Sequence, residues 1–183
     1  MSKHIKEFDR TKIPDEPVIF CKSISSFNPA LNIAKIIKPS ETNCLDYEVE
    51  LAIVIGKDCK NISVASSLDY VFGYSILLDM TARDLQKKDG QWFRAKSFDT
   101  FTPFGPKIIE KDIIKNPNNL DIKLFVNNEL RQNSNTKYMI FNVPYIISFL
   151  SKIFTLKKYD IISTGTPSGV GAGFDPPKFL NKD

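Results

Sequence analysis

Three acidic residues stand at the ends of two apolar segments that have the pattern of β-strands. Glu48 and Glu50 lie in DYEVELAIVIG (46–56), and Asp79 ends the run SILLD (75–79). Side chains alternate between the two faces of a strand, so Glu48 and Glu50 are predicted to point the same way. Ionised carboxylates inside a protein are costly unless a cation neutralises them. A group of ligands made only of oxygens favours a hard divalent cation such as Mg²⁺ or Mn²⁺.

The glutamate pair taken alone has a simpler interpretation. Asp46, Glu48 and Glu50 would then lie at an exposed strand end and pair with surface lysines. A single aspartate before a helix, as at Asp79, is likewise more often a helix cap. The metal site is favoured by the combination, because the three carboxylates end two different predicted strands.

Four other residues are candidates for chemistry. His4 is the only histidine of the chain and stands three residues before Glu7. On a helix this spacing places the carboxylate where it can orient and charge the imidazole, although the pair also fits a chance occurrence near a chain end. Arg83 in TARD and Lys96 in RAKSF are candidate contacts for an anion, with a surface charge as the alternative for each.

The glycine-rich segment GTPSGVGAGF (165–174) does not fit a nucleotide-binding loop. It lacks the Gly-Lys-Ser/Thr ending of a Walker loop, and Pro176 and Pro177 stand where a dinucleotide-binding fold would begin a helix. A backbone wall that approaches a small substrate closely remains a possible role for these glycines.

Composition points to an ordinary globular protein. The 183 residues are 42% hydrophobic and 25% charged, with a net charge of +4 and no long run of lysines, so we expect no nucleic-acid partner. Three cysteines without CxxC spacing argue against a disulfide framework and a zinc site, and they favour a cytoplasmic location. No apolar segment is long enough to predict a membrane span.

Hydrophobic patterning predicts an α+β domain that is mostly β. The predicted elements are strands in EPVIFCKS, NIAKII, residues 47–55, SLDYVFGYSILLDM and YDIIST, a hairpin in LDIKLFVNNELRQ, and helices in TARDLQKK and NVPYIISFLSKIF. Asn127 and Asn128 favour the tight turn of the hairpin. Thr81 and Asp84 suggest a capping box for the first helix, and Asn142 suggests a cap for the second.

Several motifs in order along the chain resemble the fumarylacetoacetate hydrolase family, in particular its small acylpyruvase-like and oxaloacetate decarboxylase-like members. They are DYEVELAIVIG, GYSILLDMTARDLQ, GQWFRAKSFDTFTPFGP, VNNELRQ, MIF and DIISTGTPSGVGAGFDPPKFL. The resemblance covers the chain from about residue 17 to its last residue. It implies one catalytic domain over 1–183 with the fold of a mixed β-sandwich roll, and a homodimer.

The resemblance also implies roles for individual residues. The implied metal ligands are Glu48, Glu50 and Asp79, with Mg²⁺ as the expected ion and Mn²⁺ or Ca²⁺ as alternatives. The implied catalytic residues are Lys96 beside the metal, and His4 with Glu7 as a dyad on a lid formed by residues 1–16. The implied substrate-binding residues are Arg83, Gln86, Gly165 and Thr166.

The implied activity is cleavage of a carbon–carbon bond in a small 2,4-dioxo acid, by way of an enolate that the metal stabilises. Oxaloacetate decarboxylation and 2-oxo acid isomerisation on the same site are the alternatives. The expected partner is therefore a small anionic 2-oxo acid. Members of the family extend beyond both ends of this chain, so we also expect a domain shortened at both termini, and a non-catalytic fragment is the alternative from another class.

Overall fold

The computed structural model describes residues 13–181. The strands of this part are β1 (Phe27–Pro29), β2 (Leu45–Asp46), β3 (Val49–Ile55), β4 (Val71–Leu78), β5 (Thr81–Ala82), β6 (Thr102–Glu110), β7 (Asp121–Val126), β8 (Glu129–Asn135) and β9 (Ile161–Ser163). The helices are α1 (Arg83–Asp89), α2 (Phe93–Lys96) and α3 (Val143–Ile153), with 3₁₀ turns at Ile24–Ser26, Ser67–Tyr70, Thr136–Tyr138 and Gly171–Gly173. The predicted α+β, mostly β class is confirmed.

A five-stranded mixed sheet forms the centre, in the order β1-β6-β4-β3-β9. Strand β1 runs parallel to β6, and the other neighbours are antiparallel. Two small antiparallel pairs, β2 with β5 and β7 with β8, lie outside this sheet. The arrangement places β3 between β4 and β9, so its backbone is paired on both edges over part of its length.

Every residue of β3 is buried, as its continuous apolar run predicts. Leu51, Ile53 and Ile55 face a core that is completed by one side of helix α3. Ala52 and Val54 face the opposite way, against residues of β4 and β6. Full burial of each large apolar side chain contributes roughly 1.5–3 kcal/mol, so this strand is a main anchor of the domain.

Local sequence signals explain two of the other elements. Asn127 and Asn128 have φ angles of 48° and 64°, and they form the predicted turn between β7 and β8. The Asn142 side chain accepts the N–H of Tyr145 and caps α3, as predicted. Both effects are local: asparagine tolerates the positive φ angles of the turn, and its side chain accepts a backbone N–H that the helix leaves unpaired.

The predicted strands in EPVIFCKS and NIAKII are wrong, because residues 16–23 and 32–37 have no strand pairing. The short strand β1 lies between them. Side chains hold the loop that follows it: Asn28 Nδ2 donates to the carbonyl of Lys35, and Thr100 Oγ1 accepts the N–H of Ile37. These bonds satisfy backbone groups that a neighbouring strand would otherwise pair.

The predicted capping box at Thr81 is also wrong. Helix α1 begins after Ala82, which offers no side-chain cap. Thr81 lies in β5 instead, where its hydroxyl donates to the carbonyl of Asp79 and accepts a hydrogen bond from Lys96. The threonine therefore serves the charged cluster described below.

In the part of the chain that the structure describes, no helix has the length and apolar character needed to cross a membrane.

Candidate metal centre

The three predicted carboxylates come together where β3 and β4 meet. Glu50 lies in β3, Glu48 directly precedes this strand, and Asp79 directly follows β4. The antiparallel register pairs Val49 with Leu78, and the N–H of Asp79 donates to the carbonyl of Glu48 over 2.8 Å. One carboxylate oxygen from each of the three side chains lies within 4.8 Å of the other two.

Burial of this cluster excludes the exposed strand end that the glutamate pair alone suggested. Glu48 is 5% exposed, Glu50 4% and Asp79 1%. Two lysines do contact the cluster, but their side chains are only 2% exposed at Lys96 and 13% at Lys22, so neither is a surface partner. Three adjacent carboxylates in such an environment need cations to remain ionised.

Lys96 supplies one of these cations from the end of α2. Its Nζ donates to Glu48 Oε2 over 2.9 Å, to Thr81 Oγ1 over 2.8 Å and to Asp79 Oδ2. Burial alone would lower the pKa of this ammonium group, but the charges of Asp79 and Glu48 outweigh burial and raise the pKa above its ordinary value. Lys96 is therefore a permanent positive charge inside the cluster.

Lys22 supplies a second cation that sequence reasoning missed. Its Nζ donates to Asp79 Oδ1 over 2.5 Å and to the carbonyl of Phe101 over 3.1 Å. Burial lowers the pKa of this ammonium group more than the neighbouring Asp79 raises it. The one sequence signal was a lone lysine at the end of the apolar segment PVIFCK, and this signal is not specific.

Arg83 supplies the third cation, from the first position of α1. Its Nη2 donates to Glu48 Oε1 over 2.6 Å, its Nε to Asp46 Oδ2 over 2.8 Å, and its Nη1 to Gln86 Oε1 over 3.1 Å. Burial opposes the charged form, but Glu48 and Asp46 outweigh burial and raise the pKa of the guanidinium group. The predicted residues Arg83 and Gln86 thus lie at the cluster, with Arg83 bound to one of its carboxylates.

Asp46 is a fourth buried carboxylate that sequence reasoning placed only at a strand boundary. Besides Arg83, it accepts the backbone N–H groups of Gly171 over 2.6 Å and Ala172 over 3.0 Å. A Cβ atom at Gly171 would lie only 2.6 Å from Asp46 Oδ1, so glycine permits this close approach. Asp46 thereby ties the glycine-rich segment to the charged cluster.

Glu50 differs from the other carboxylates because its described hydrogen-bond donors are neutral. Its Oε2 accepts the hydroxyl of Ser163 and, over 2.7 Å, the N–H of Gly165. Burial, followed by the negative charges of Asp79 and Glu48, raises the pKa of the Glu50 carboxyl to about 7. A cation placed beside this carboxylate would favour its ionised form and lower its pKa.

The charge balance of the cluster is compatible with a bound divalent cation. Four buried carboxylates face three cationic groups, so negative charge is in excess when all are ionised. The carboxylates are Asp46, Glu48, Glu50 and Asp79, and the cations are the buried Arg83 and Lys96 and the largely buried Lys22. Each carboxylate oxygen has two lone pairs, so the ion pairs do not prevent metal binding. The residues present therefore fit a hard cation held by Glu48, Glu50 and Asp79.

The loop after β9 borders the cluster. Gly165 has a φ of 93°, and a Cβ atom there would meet no atom within 4 Å, so this glycine borders open space beside Glu50. The hydroxyl of Thr166 faces the protein, where it donates to the carbonyl of Val49 and accepts a hydrogen bond from Gln132. The substrate-binding roles of both residues stay predictions.

A family model described as "Fumarylacetoacetate (FAA) hydrolase C-terminal" matches residues 1–183. The chain belongs to the fumarylacetoacetate hydrolase family. Oxaloacetate tautomerase YisK of Bacillus subtilis is 49% identical over 170 residues, which are 92% of this chain and 56% of that protein. The predicted family and fold are confirmed.

Solved structures agree with this membership. The fumarylacetoacetate hydrolase of Exiguobacterium antarcticum has a TM-score of 0.83 and 43% identity, over 97% of this chain and 63% of that one. The 5-carboxymethyl-2-hydroxymuconate delta-isomerase of Mycobacterium smegmatis has a TM-score of 0.78 and 38% identity, over 86% of this chain and 61% of that one. The chain thus spans between about half and two thirds of the length of these relatives.

His4 and Glu7, the predicted dyad, lie outside the described residues. Their catalytic role, like that of Lys96, stays a prediction. The predicted homodimer, the shortened termini, the lid over residues 1–16 and the cytoplasmic location likewise stay predictions.

Proposed function

We propose that this chain is the catalytic domain of a divalent-metal-dependent enzyme that converts a small 2-oxo acid by way of its enolate. The observation that carries the proposal is the buried group of three carboxylates, one of which has only neutral hydrogen-bond donors in the described part of the chain. The activity best supported is keto–enol tautomerisation of oxaloacetate or a similar 2-oxo acid, because a relative 49% identical is named an oxaloacetate tautomerase.

Glu48, Glu50 and Asp79 would hold the cation, with Mg²⁺ as our first choice because all three ligands are carboxylates. When bound, the cation supplies Lewis-acid stabilisation for the negative charge that develops on the 2-oxo oxygen. The surrounding cations favour the approach of an anionic substrate.

Lys96 and Lys22 differ in the number of protein acceptors that they face. Lys96 Nζ donates to three side chains, which uses all three of its N–H groups, so it holds Glu48 and Asp79 in place and adds positive charge. Lys22 Nζ donates to two acceptors among residues 13–181. We assign its third N–H to the substrate, where a bond from Lys22 would be stronger to an enolate than to the ketone.

Tautomerisation suits this set of groups. The reaction takes one proton from carbon 3 and places one on the 2-oxo oxygen, so it neither consumes nor releases water. The proton from carbon 3 must pass to a base, a role that we assign to solvent water in the open space beside Gly165. The other requirements are a positioned cationic donor and stabilisation of the enolate, and Lys22 with the carboxylate site would provide both. The open space beside Gly165 leaves room for the substrate, and we keep Arg83, Gln86 and Thr166 as further substrate-facing candidates.

Hydrolysis of an acylpyruvate-type 2,4-dioxo acid is the second candidate. The His-x-x-Glu spacing of His4 and Glu7 favours it, because cleavage by water needs a group that can accept a proton from that water. A solved relative named a fumarylacetoacetate hydrolase gives further support. Decarboxylation of oxaloacetate would also pass through an enolate, that of pyruvate, which forms as carbon dioxide leaves.

A parallel assay tests the proposal. The chelator-treated protein is supplied with Mg²⁺ and offered oxaloacetate, acetylpyruvate and fumarylpyruvate. Ultraviolet absorbance follows loss of the oxaloacetate enol, and coupled assays follow release of pyruvate. We expect accelerated tautomerisation that disappears when the chelator is restored and in Glu50→Gln.

The control is Glu110→Gln, the same chemical change on the exposed end of β6. Metal-dependent pyruvate release from acetylpyruvate or fumarylpyruvate without tautomerisation would favour the second candidate. No metal-dependent reaction with any of the three acids would contradict the proposal.

A further inference from the structure

Part of the edge of β3 that carries the metal ligands is not paired by a strand. The carbonyl of Glu48 accepts the N–H of Asp79 on the side of β4, so the backbone groups of Val49 face the other edge. On that edge β9 pairs only with Ala52, Ile53 and Val54. The N–H and carbonyl of Val49, which stands between the two glutamates, must therefore find partners other than a strand.

Two buried side chains provide these partners in a closed ring of hydrogen bonds. The N–H of Val49 donates to Gln132 Oε1 over 2.9 Å, and Gln132 Nε2 donates to Thr166 Oγ1 over 2.8 Å. The hydroxyl of Thr166 then donates to the carbonyl of Val49 over 3.0 Å. The second hydrogen of Gln132 Nε2 bonds the carbonyl of Pro167 over 2.9 Å. Gln132 is fully buried, and both hydrogens and the oxygen of its amide are hydrogen-bonded.

The ring requires an amide at position 132. Its oxygen faces a donor at Val49, and its nitrogen faces two acceptors at Thr166 and Pro167. If the amide were flipped, its NH₂ group would face the N–H of Val49 and its oxygen would face the two acceptors. A glutamate would set a second oxygen against the carbonyl of Pro167. An apolar side chain would leave buried backbone groups unpaired, which is costly.

Close packing holds the glycine-rich loop against the same strand. A Cβ atom at Gly169 would lie 2.0 Å from the carbonyl oxygen of Arg131 and 3.2 Å from the Cα of Gln132. The φ of Gly169 is 102°, so glycine is favoured there on both counts. Strand β8 and the loop are thus in direct backbone contact where Gln132 projects.

The ring connects both glutamates to the loop. Val49 is the residue between Glu48 and Glu50, and Thr166 follows Gly165, whose N–H donates to Glu50 Oε2. We propose that Gln132 is a positioning residue for the metal centre, which fixes the separation of the Glu48 and Glu50 carboxylates through Val49 and orients Glu50 through Thr166 and Gly165. This inference rests on the proposed function, in which those glutamates hold the cation.

The test measures the dissociation constant of Mn²⁺ by calorimetry on chelator-treated, folded protein. Gln132→Met and Thr166→Val should weaken binding, because loss of a group that orients a metal ligand typically costs about 10–100-fold in affinity. Thr166→Ser keeps the hydroxyl and should restore near wild-type binding. The double variant that combines Gln132→Met with Thr166→Val should bind Mn²⁺ no more weakly than Gln132→Met alone, since both changes open the same ring.

Thr136→Val is the matched control. Thr136 is as buried as Thr166, and its hydroxyl likewise accepts one hydrogen bond, from the N–H of Leu120, and donates one, to the carbonyl of Pro117. It makes no described contact with the carboxylates, so its loss should lower stability and leave the affinity for Mn²⁺ close to that of wild type. This separates positioning of the site from a general loss of stability.

The outcomes distinguish the two proposals. Gln132→Met and Thr166→Val that bind Mn²⁺ as tightly as Thr136→Val would overturn the positioning role while leaving the metal site intact. If Gln132→Met does not fold, the comparison of Thr166→Val with Thr166→Ser decides the question. A wild-type protein that binds no Mn²⁺, or binds it no better than Glu50→Gln, would overturn the proposed function and this inference with it.

Discussion

Replacement of Glu50 by glutamine should stabilise the metal-free protein at neutral and alkaline pH. Burial and the neighbouring carboxylates raise the pKa of Glu50 from 4.5 to about 7 in the folded state. A raised carboxyl pKa means that the folded state favours the protonated form, so ionisation opposes folding. Below the unfolded pKa the penalty is absent, it grows as pH rises through the folded pKa, and it is complete above that value.

Ionisation of Glu50 in the folded state should cost a substantial part of the stability of the metal-free protein. A rise in pKa from 4.5 to about 7 corresponds to about 3 kcal/mol of folding free energy at high pH. A glutamine has no charge, and its amide oxygen can accept the same two bonds, from Ser163 and Gly165. Glu50→Gln should therefore raise the free energy of unfolding by up to about 3 kcal/mol at about pH 8 and by little at about pH 4.

Urea denaturation with a chelator present, at both pH values, measures this difference. The control Glu110→Gln makes the same change at an exposed position of β6 and should alter stability by less than about 0.5 kcal/mol. Saturating Mg²⁺ should reverse the order of wild type and Glu50→Gln at about pH 8, because the metal binds the folded wild type. Equal stability of these two proteins in chelator at about pH 8, or a gain of the same size at about pH 4, would show that ionisation of Glu50 does not oppose folding.

Three further predictions concern the two lysines at the cluster, His4 and Tyr74. Lys22→Met should lower kcat by roughly a hundredfold with little change in Mn²⁺ affinity, because it removes one donor to the enolate. Lys96→Met should instead destabilise the metal-free protein by about 3–5 kcal/mol, because it breaks buried ion pairs. Steady-state kinetics and urea denaturation measure the two effects, and equal losses of kcat and of stability in both variants would contradict the different roles of the two lysines. His4→Ala should abolish acetylpyruvate hydrolysis and spare tautomerisation, and unchanged pyruvate release would exclude the dyad as the base. Burial raises the pKa of Tyr74 to about 12, so the unfolded state loses its proton first and stability should fall as pH rises from about 10 to 12; Tyr74→Phe should lack this part of the decline in urea denaturation, and an identical decline would contradict it.

The parts of the fold that sequence predicted depend on short-range signals. The apolar run of β3, the turn at Asn127 and Asn128 and the cap at Asn142 each involve residues close in the chain. The predicted strands before and after β1 failed because a β pattern forms a strand only where a partner is available. In this structure β1 pairs only with β6, over three residues.

The residues of the candidate site were likewise predictable only where the sequence signal was local. The three carboxylates were predictable because each lies at or next to the end of an apolar strand. Lys22, Asp46 and Gln132 were not, because their partners are distant in sequence: 57 residues separate Lys22 from Asp79, 83 separate Gln132 from Val49, and 125 separate Asp46 from Gly171. A lone lysine, aspartate or glutamine has no local pattern that distinguishes it from a surface residue. Such contacts follow from topology and not from spacing.

A crystal structure of the protein grown with Mn²⁺ tests most directly whether Glu48, Glu50 and Asp79 bind one divalent cation. Anomalous scattering locates manganese independently of the protein coordinates. We predict one anomalous peak between the three carboxylates, with an oxygen from each bound to the ion, and a Mg²⁺ replacement at roughly 2.0–2.1 Å from the same oxygens. Absence of a peak at this position, with Lys22 and Lys96 as the only cations in contact with Asp79, would contradict it.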